Sequence, residues 1–438
     1  EPVNIRATKL VAAEKGYDAY MSKITPPAPV TDGRKVAVIG GGPTGMSAAY
    51  FVGRAGIPVT LFEKADRLGG IVRQVIPAFR ISDEAIDKDV ALIEKMGVEV
   101  KLNTEAPSVA ELKAQGYTHI FFAVGAWKAG RLDIPGNVVP VIGWLRDMKA
   151  GKDVSLGHVA VVGGGNTAMD AARAALRAGA KSSTLVYRRT KKYMPADAEE
   201  LELAIADGVQ FLELVAPVEQ KDGKLVCEKM KLGDPDEKGR RKPVATGEMV
   251  EIPCDTVVAA VGEKVDSDLF TGNGIEVDAK GIPNFKTNVE GVYVGGDAMR
   301  GPATVVEGIA DAQYFANAVI GEAHQFSIPA KAVATRAEAI AKKGILCESA
   351  KCEGDRCLTC NVVCQVCADV CPNRANVVIE LPDGRHQILH VDRMCNECGN
   401  CAIFCPYDSA PYRDKFTLFM TREGFDESVK NAGFLPLG

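Results

Sequence analysis

Apolar residues recur at helical spacing through IRATKLVAAEKGYDAYMSKI (residues 5–24), and TPPAPVTDG then breaks the pattern, so residues 1–34 read as an N-terminal arm. From Lys35 to about Gly321 short β-branched runs alternate with alanine-rich stretches of helical period. That alternation predicts parallel βαβ units. The first unit opens with a strand at Val36–Ile39 and a helix from Met46, and a similar pattern returns at HVAVVGGGNTAMDAARAAL, where Gly163 lies 123 positions after Gly40. Two related α/β domains are therefore expected. Residues 326–350 read as a linker containing a helix in AKAVATRAEAIAKKG. NVVIELPDGRHQILHV reads as a hairpin that turns at Asp383–Gly384, and residues 416–438 form a tail without a clear pattern.

The chain has 438 residues, room for roughly three domains of ~150 residues. It is 47% hydrophobic and 25% charged, with a net charge of -5, so composition points to neither nucleic acid nor a polybasic membrane contact. No apolar run reaches the ~18 residues of a membrane helix. No export signal is visible, which predicts a cytoplasmic protein without a membrane span. The chain starts at Glu1 rather than Met, and further sequence upstream is expected. Eleven of the 13 cysteines fall between Cys347 and Cys405. In a long chain without an export signal, such crowding points to metal rather than to disulfides.

Each βαβ unit carries a glycine fingerprint. Gly40, Gly42 and Gly45 form G-x-G-x-x-G between strand and helix, where they allow a tight turn, backbone approach to a pyrophosphate, and close helix–strand packing. The helix N-terminus offers free N–H groups to the phosphates. Glu63, 23 residues after Gly40, ends the second strand, where its carboxylate can accept from a ribose hydroxyl. In the second unit Gly163, Gly165 and Ala168 form G-x-G-x-x-A, and STLVYRRT ends without an acid. Arg188, with Arg189 beside it, suits a 2′-phosphate, so NADPH is favoured. NADH stays open, because an arginine can also stack on adenine or simply be a solvated strand end.

Cys395-x2-Cys398-x2-Cys401-x3-Cys405-Pro406 has the spacing of the bacterial ferredoxin run. A zinc ribbon would use two C-x2-C pairs and needs no fourth cysteine before proline. The earlier run departs by one residue: Cys360, Cys364, Cys367 and Cys371 form C-x3-C-x2-C-x3-C-P. The favoured assignment places Cys360, Cys364, Cys367 and Cys405 on one 4Fe–4S cluster and Cys371, Cys395, Cys398 and Cys401 on the other. In an alternative, Cys357 and Cys360 are ligands and Cys364 is not. Cys347, Cys352 and Cys357 are spare, structural, or ligands to a further cluster. Cys227 and Cys254 stand 27 residues apart and flank no redox motif, which argues against thiol–disulfide chemistry at a flavin.

The RLGG stretch from Arg67 to Gly70 and VYVGGDAMRGPATVVEGIADA (292–312) resemble FAD-binding sequences of flavoprotein disulfide-reductase-like folds. That resemblance implies that Asp297 holds the ribityl or phosphate end of FAD and that a helix beginning near Thr304 aims its N-terminus at the flavin ring. GIVRQVIPAFRIS, FFAVGAWKAGRLDIPG, VYRRTKKYMPA and VVAAVGEKVDSD resemble both the small subunit of glutamate synthase and the flavin half of dihydropyrimidine dehydrogenase. The resemblance covers residues 35–325. It implies an FAD domain in two parts, 35–155 and 266–325, with an NAD(P)H domain at 156–265 inserted between them. Residues 351–415 would form an α+β, ferredoxin-like, two-cluster domain.

With the flavoprotein running directly into the cysteine-rich unit, RCLTCNVVCQVCADVCPNRANVVIE looks like the selenate-reductase iron–sulfur subunit associated with anaerobic purine breakdown. This resemblance implies an NADPH-dependent iron–sulfur flavoprotein that serves a reductase partner or an upstream domain. Selenate or an oxidised purine such as urate is the implied acceptor. A glutamate-synthase-type small subunit and a flavin diaphorase with a structural metal module stay open. No general acid or base is assigned in the chain.

Overall fold

The first layer is built from strands in which nearly every residue is buried: β1 (Val36–Ile39), β2 (Val59–Phe62), the shorter and more exposed β3 (Glu99–Lys101), and β4 (His119–Phe122). Continuous burial is what a parallel sheet covered on both faces requires. The strands pair in parallel in the order β4-β1-β2-β3, and a fifth strand from much later in the chain closes the free edge of β4. In the computed structural model this sheet belongs to a unit spanning Ile24–Gln325; Glu1–Lys23 and Phe326–Gly438 form a second unit. The structure describes residues 5–235, 241–278, 281–321, 364–382, 386–405, 409–428 and 431–436.

A second parallel sheet follows. After β5 (Lys128–Ala129) come β6 (Val138–Pro140), β7 (His158–Val162), β8 (Ser182–Tyr187) and β9 (Gln210–Glu213). A three-stranded antiparallel meander comes next: β10 (Val215–Lys221), β11 (Lys224–Pro235) and β12 (Arg241–Pro253). The chain then returns through β13 (Thr256–Ala259), β14 (Glu263–Lys264) and β15 (Val292–Val294). The second sheet runs β6-β13-β7-β8-β9, β14 pairs with β5, and β15 is the fifth strand of the first sheet. The polypeptide thus leaves the first sheet, builds the second, and comes back. The second sheet takes β6 and the helix Val141–Lys149 from residues ahead of position 156.

Each sheet is covered on both faces. The helices Pro43–Arg54 and Val305–Ile320 lie on one face of the first, where Phe121 stacks on Phe315 with ring centroids 4.4 Å apart. On the other face Leu112, Phe270 and Ile282 pack in one cluster with Phe122 of β4. Helices Val141–Lys149, Asn166–Arg177 and Ala198–Ala206 cover one face of the second sheet, and the meander covers its opposite face through Leu225, Cys227 and Ile252, with Cys254 directly after β12. Sequence periodicity did not announce the meander, because β12 is mostly exposed and has no clean apolar alternation. The first glycine turn enters its helix at Pro43, three residues ahead of the expected Met46. Proline fits the first helical position, where no N–H partner is needed.

Residues 5–24, read as helical from spacing, contain a helix at Ile5–Lys23. In the C-terminal segment β16 (Asn376–Glu380) and β17 (His386–Val391) pair antiparallel, as a hairpin requires, and the expected turn at Asp383–Gly384 lies outside the described residues. The stretch read as a tail contributes β18 (Phe416–Leu418), parallel to β17, and β19 (Gly433–Phe434), parallel to β18. Among the described residues no helix is long and apolar enough to cross a membrane.

An ion network ties the two sheets together. Arg80, in the turn after the helix Gly70–Gln74, donates through Nε to Asp170 at 2.6 Å and through both terminal nitrogens to Glu200. Both carboxylates sit on helices of the second sheet. Arg173 extends the network from Glu200 to Asp207, where it donates at 2.8 Å. Burial pushes the Asp170 carboxyl above its ordinary range, against the pull of Arg80. Arg80→Leu leaves two half-buried carboxylates short of a counter-charge and is expected to cost about 3 kcal/mol, read as a lowered urea midpoint. An unchanged midpoint would show that the network contributes nothing to stability.

Candidate functional site

The first turn is set by backbone crowding. Gly40 has φ +103°, and a Cβ there would stand 2.5 Å from the Ala123 carbonyl oxygen. A Cβ at Gly45 would stand 1.8 Å from the Gly40 carbonyl oxygen. Gly42 caps the helix, and a Cβ on it would meet only the Gly70 Cα, at 3.9 Å. Side chains are thus excluded where strand and helix touch, and open room remains at Gly42, where a phosphate would approach. Gly70 supports that spot from behind, since a Cβ on it would press on the Gly42 Cα at 2.8 Å.

Glu63 follows β2 and is buried. Its Oε2 accepts from the Gly41 N–H at 2.6 Å and its Oε1 from the Ala65 N–H at 2.8 Å. The carboxylate therefore braces the glycine turn and has acceptor lone pairs to spare. Arg67 is more exposed and pairs with Asp83 at 2.9 Å and Asp87 at 3.3 Å.

Asp297 opens the short helix Asp297–Arg300, and its Oδ1 accepts from the Ala303 N–H at 3.0 Å. Burial, with Glu307 and Asp311 nearby, holds its carboxyl above the ordinary range despite that bond and Arg300. Thr304 caps Val305–Ile320 in a reciprocal box with Glu307. Sequence reasoning missed Asp311, which is 4% exposed. Its Oδ2 accepts from the Gly296 N–H at 2.6 Å and its Oδ1 from Arg300 at 2.6 Å. It thereby ties the turn after β15 to the helix behind it. The available signal was a lone acid on the apolar face of that helix.

Over the second turn lies a cleft of about 960 Å³. Gly163, Gly165 and Ala168 line one wall, Arg188 and Arg189 stand at the end of β8, and Glu263 and Lys264 come from β14. A Cβ on Gly165 would meet nothing within 4 Å, so the backbone there faces open space. Burial and the nearby Asp297 raise the Glu263 carboxyl above its usual range. Sequence reasoning also missed Arg241, which lines this cleft from β12. No local motif marks it, because the meander brings it there.

In the C-terminal segment Cys371, Cys395, Cys398 and Cys401 line one small cavity. These are the four cysteines expected to share a cluster. The Ala375 N–H donates to Cys371 Sγ at 3.2 Å and the Glu397 N–H to Cys395 Sγ at 3.3 Å, the donor pattern that steadies thiolate ligands. Of the other expected set, Cys364, Cys367 and Cys405 are described, and Cys360 lies outside the described residues, as do Cys347, Cys352 and Cys357. Among the described residues no three His, Cys, Asp or Glu side chains are gathered as a single metal ion would gather them.

Two nucleotide-type turns on paired parallel sheets, with the second sheet inserted in the chain path of the first, define a two-dinucleotide oxidoreductase. The chain belongs to the pyridine nucleotide-disulphide oxidoreductase family, whose model matches residues 34–312. It is an NAD(P)H-dependent oxidoreductase. It is 42% identical to the protein YgfK of Escherichia coli (strain K12), over 99% of this chain and 44% of YgfK, so it spans less than half of that relative's length. It is 34% identical to the glutamate synthase [NADPH] small chain of Halomonas elongata, over 67% of this chain and 68% of that one. Among solved structures, Mycobacterium tuberculosis FprA in complex with NADPH superposes with a TM-score of 0.56 at 21% identity, over 66% of this chain and 84% of that one, a likeness of fold.

Cys227 and Cys254 are fully buried in the core beneath the meander. Burial pushes the Cys227 thiol up to about 12 and the Cys254 thiol up to about 11. Raised values mean less thiolate, on the order of 10⁻⁴ and 10⁻³ of each at pH 8. Iodoacetamide at pH 8, followed by mass mapping of native protein, should leave both unlabelled. Labelling at the rate of an ordinary free thiol would contradict their inert role.

Proposed function

We propose that the chain binds FAD on the first glycine turn and NADPH on the second, and that its C-terminal cysteines hold two 4Fe–4S clusters. Bound flavin accepts an electron pair and releases electrons singly, and iron–sulfur clusters carry them one at a time. The chain would thus convert two-electron donation into one-electron supply for a reductase partner or an upstream domain. The observation that carries this reading is the cavity lined by Cys371, Cys395, Cys398 and Cys401 in a chain that already has two dinucleotide turns.

The residues fit these groups. Gly42 leaves the room a pyrophosphate needs, and Glu63 offers a carboxylate beside it. Asp297 would hold the ribityl or phosphate end of the flavin, and the helix capped by Thr304 would present its N-terminus to the ring. Arg188 and Arg189 would read the 2′-phosphate of NADPH. Cys360, Cys364, Cys367 and Cys405 would hold the other cluster. Similarity to a chain named as the NADPH-dependent small chain of glutamate synthase supports both the nucleotide and the existence of a partner. That similarity alone leaves the C-terminal cysteines without a task, and the electron-transfer reading accounts for them. The implied acceptors, selenate or an oxidised purine such as urate, enter as substrates of the partner or upstream domain.

Two outcomes follow for anaerobically handled protein. Heat denaturation should release FAD, one per chain, and the recovery of FMN instead would remove the flavin assignment. Cys398→Ser should lower bound iron while NADPH-driven reduction of a small flavin-accepting dye largely survives and transfer to the physiological acceptor collapses. Full transfer by a variant shown to lack that cluster would mean that the cysteine-rich segment is structural.

A further inference from the structure

The meander β10–β12 covers one face of the second sheet, and its hydrogen bonds show where its outer limb begins. The Leu214 N–H donates to the Arg189 carbonyl at 3.2 Å, and the Met230 N–H donates to the Leu214 carbonyl at 2.7 Å. From Met230 outward, β11 and β12 pair as Met230↔Ala245, Lys231↔Val244 and Leu232↔Pro243, and after a register shift as Pro235↔Arg241. The limb that carries Arg241 is thus rooted on the backbone of Arg189 and lines the same cleft as Arg188 and Arg189. The nicotinamide end would fall to Glu263 and Lys264, which enter from β14.

Charge gives the second argument. Among the described residues the side chains of Arg188, Arg189 and Arg241 have no carboxylate partner, whereas Arg131, also lining the cleft, is paired with Asp133. Like charges gathered around one cleft repel, and an anion with several acceptor oxygens turns that repulsion into affinity. A phosphate monoester fits three guanidinium groups better than a ribose hydroxyl does, because only the phosphate offers enough charged acceptors.

We infer that Arg241 is a third reader of the 2′-phosphate, a specificity-determining residue delivered by the meander to the adenosine end of the cleft. The inference rests on the NADPH reading above. Residues 214–235 and 241–253 then do two things: they seal the second sheet and they supply a cation that the strand–turn–helix fingerprint does not contain.

Calorimetric titration of the full chain with 2′,5′-ADP and with 5′-AMP tests this without turnover. Wild-type protein should bind 2′,5′-ADP more tightly. Arg241→Ala should weaken 2′,5′-ADP by about tenfold, the worth of one charge-assisted contact, and leave 5′-AMP unchanged. Arg241→Lys should recover part of the loss, since an ammonium keeps the charge and lacks the planar fork. Arg188→Ala is the companion variant. If Arg188→Ala weakens 2′,5′-ADP and Arg241→Ala does not, the inference is overturned and the NADPH reading stands. If wild-type protein fails to prefer 2′,5′-ADP, the NADPH reading fails and takes the inference with it. An equal loss for both ligands in Arg241→Ala would assign the residue to the shared adenosine or 5′-phosphate and also overturn the inference.

Discussion

At Gly45 the helix of the first glycine turn lies so close to the Gly40 carbonyl that a single methyl group would overlap it. Backbone against backbone, with no side chain between, brings the N-terminus of that helix to the end of β1. The same constraint recurs around it. A Cβ at Gly308 would press on the Thr44 hydroxyl at 2.3 Å, so the helix behind the first sheet seats directly on the helix of the turn. A Cβ at Gly163 would press on the Ala260 carbonyl oxygen at 2.2 Å, which closes the second turn against β13. Two buried carboxylates complete the frame, Glu63 on the Gly41 N–H and Asp311 on the Gly296 N–H. Each spends a buried charge on a backbone donor, which is worthwhile where a turn must hold a fixed shape.

What could be read from the sequence was whatever is decided within a few residues. Strand, glycine turn and helix are local, and so β1, the turn at Gly40 and the repeat at Gly163 were legible. Arg188 was legible because it follows a strand whose position the turn had already set. The hairpin of β16 and β17 was legible from alternation alone. What was not legible depends on residues far apart in the chain. Arg80 meets Glu200 across 120 positions, and nothing near either residue announces the other. Arg241 reaches its cleft only because β12 pairs with β11 and Leu214 bonds to Arg189. The strands after Phe416 were missed because each is two or three residues long and takes its form from pairing with β17 and β18.

The cysteines divide by environment in a way that bears on the chemistry. The family takes its name from disulphide reduction, yet the described residues near the first turn present no cysteine pair, and Cys227 and Cys254 are sealed in a core with their protons held tightly. At the other end of the chain Cys371, Cys395, the exposed Cys398 and Cys401 line one cavity, and backbone N–H groups donate to the sulfurs of Cys371 and Cys395. Sealed thiols in one place and a collected set in another agree with the proposal that the C-terminal cysteines hold clusters and that no thiol chemistry takes place at the nucleotide clefts.

The central claim is that electrons entering from NADPH reach the C-terminal cysteine site of the same chain. Anaerobic addition of NADPH, followed by low-temperature electron paramagnetic resonance, tests it most directly, with dithionite as the reference reductant. The account predicts that NADPH elicits the signal of a reduced iron–sulfur cluster as dithionite does. A chain with its full iron and sulfide whose flavin bleaches with NADPH, and whose cluster signal arises only with dithionite, would contradict it.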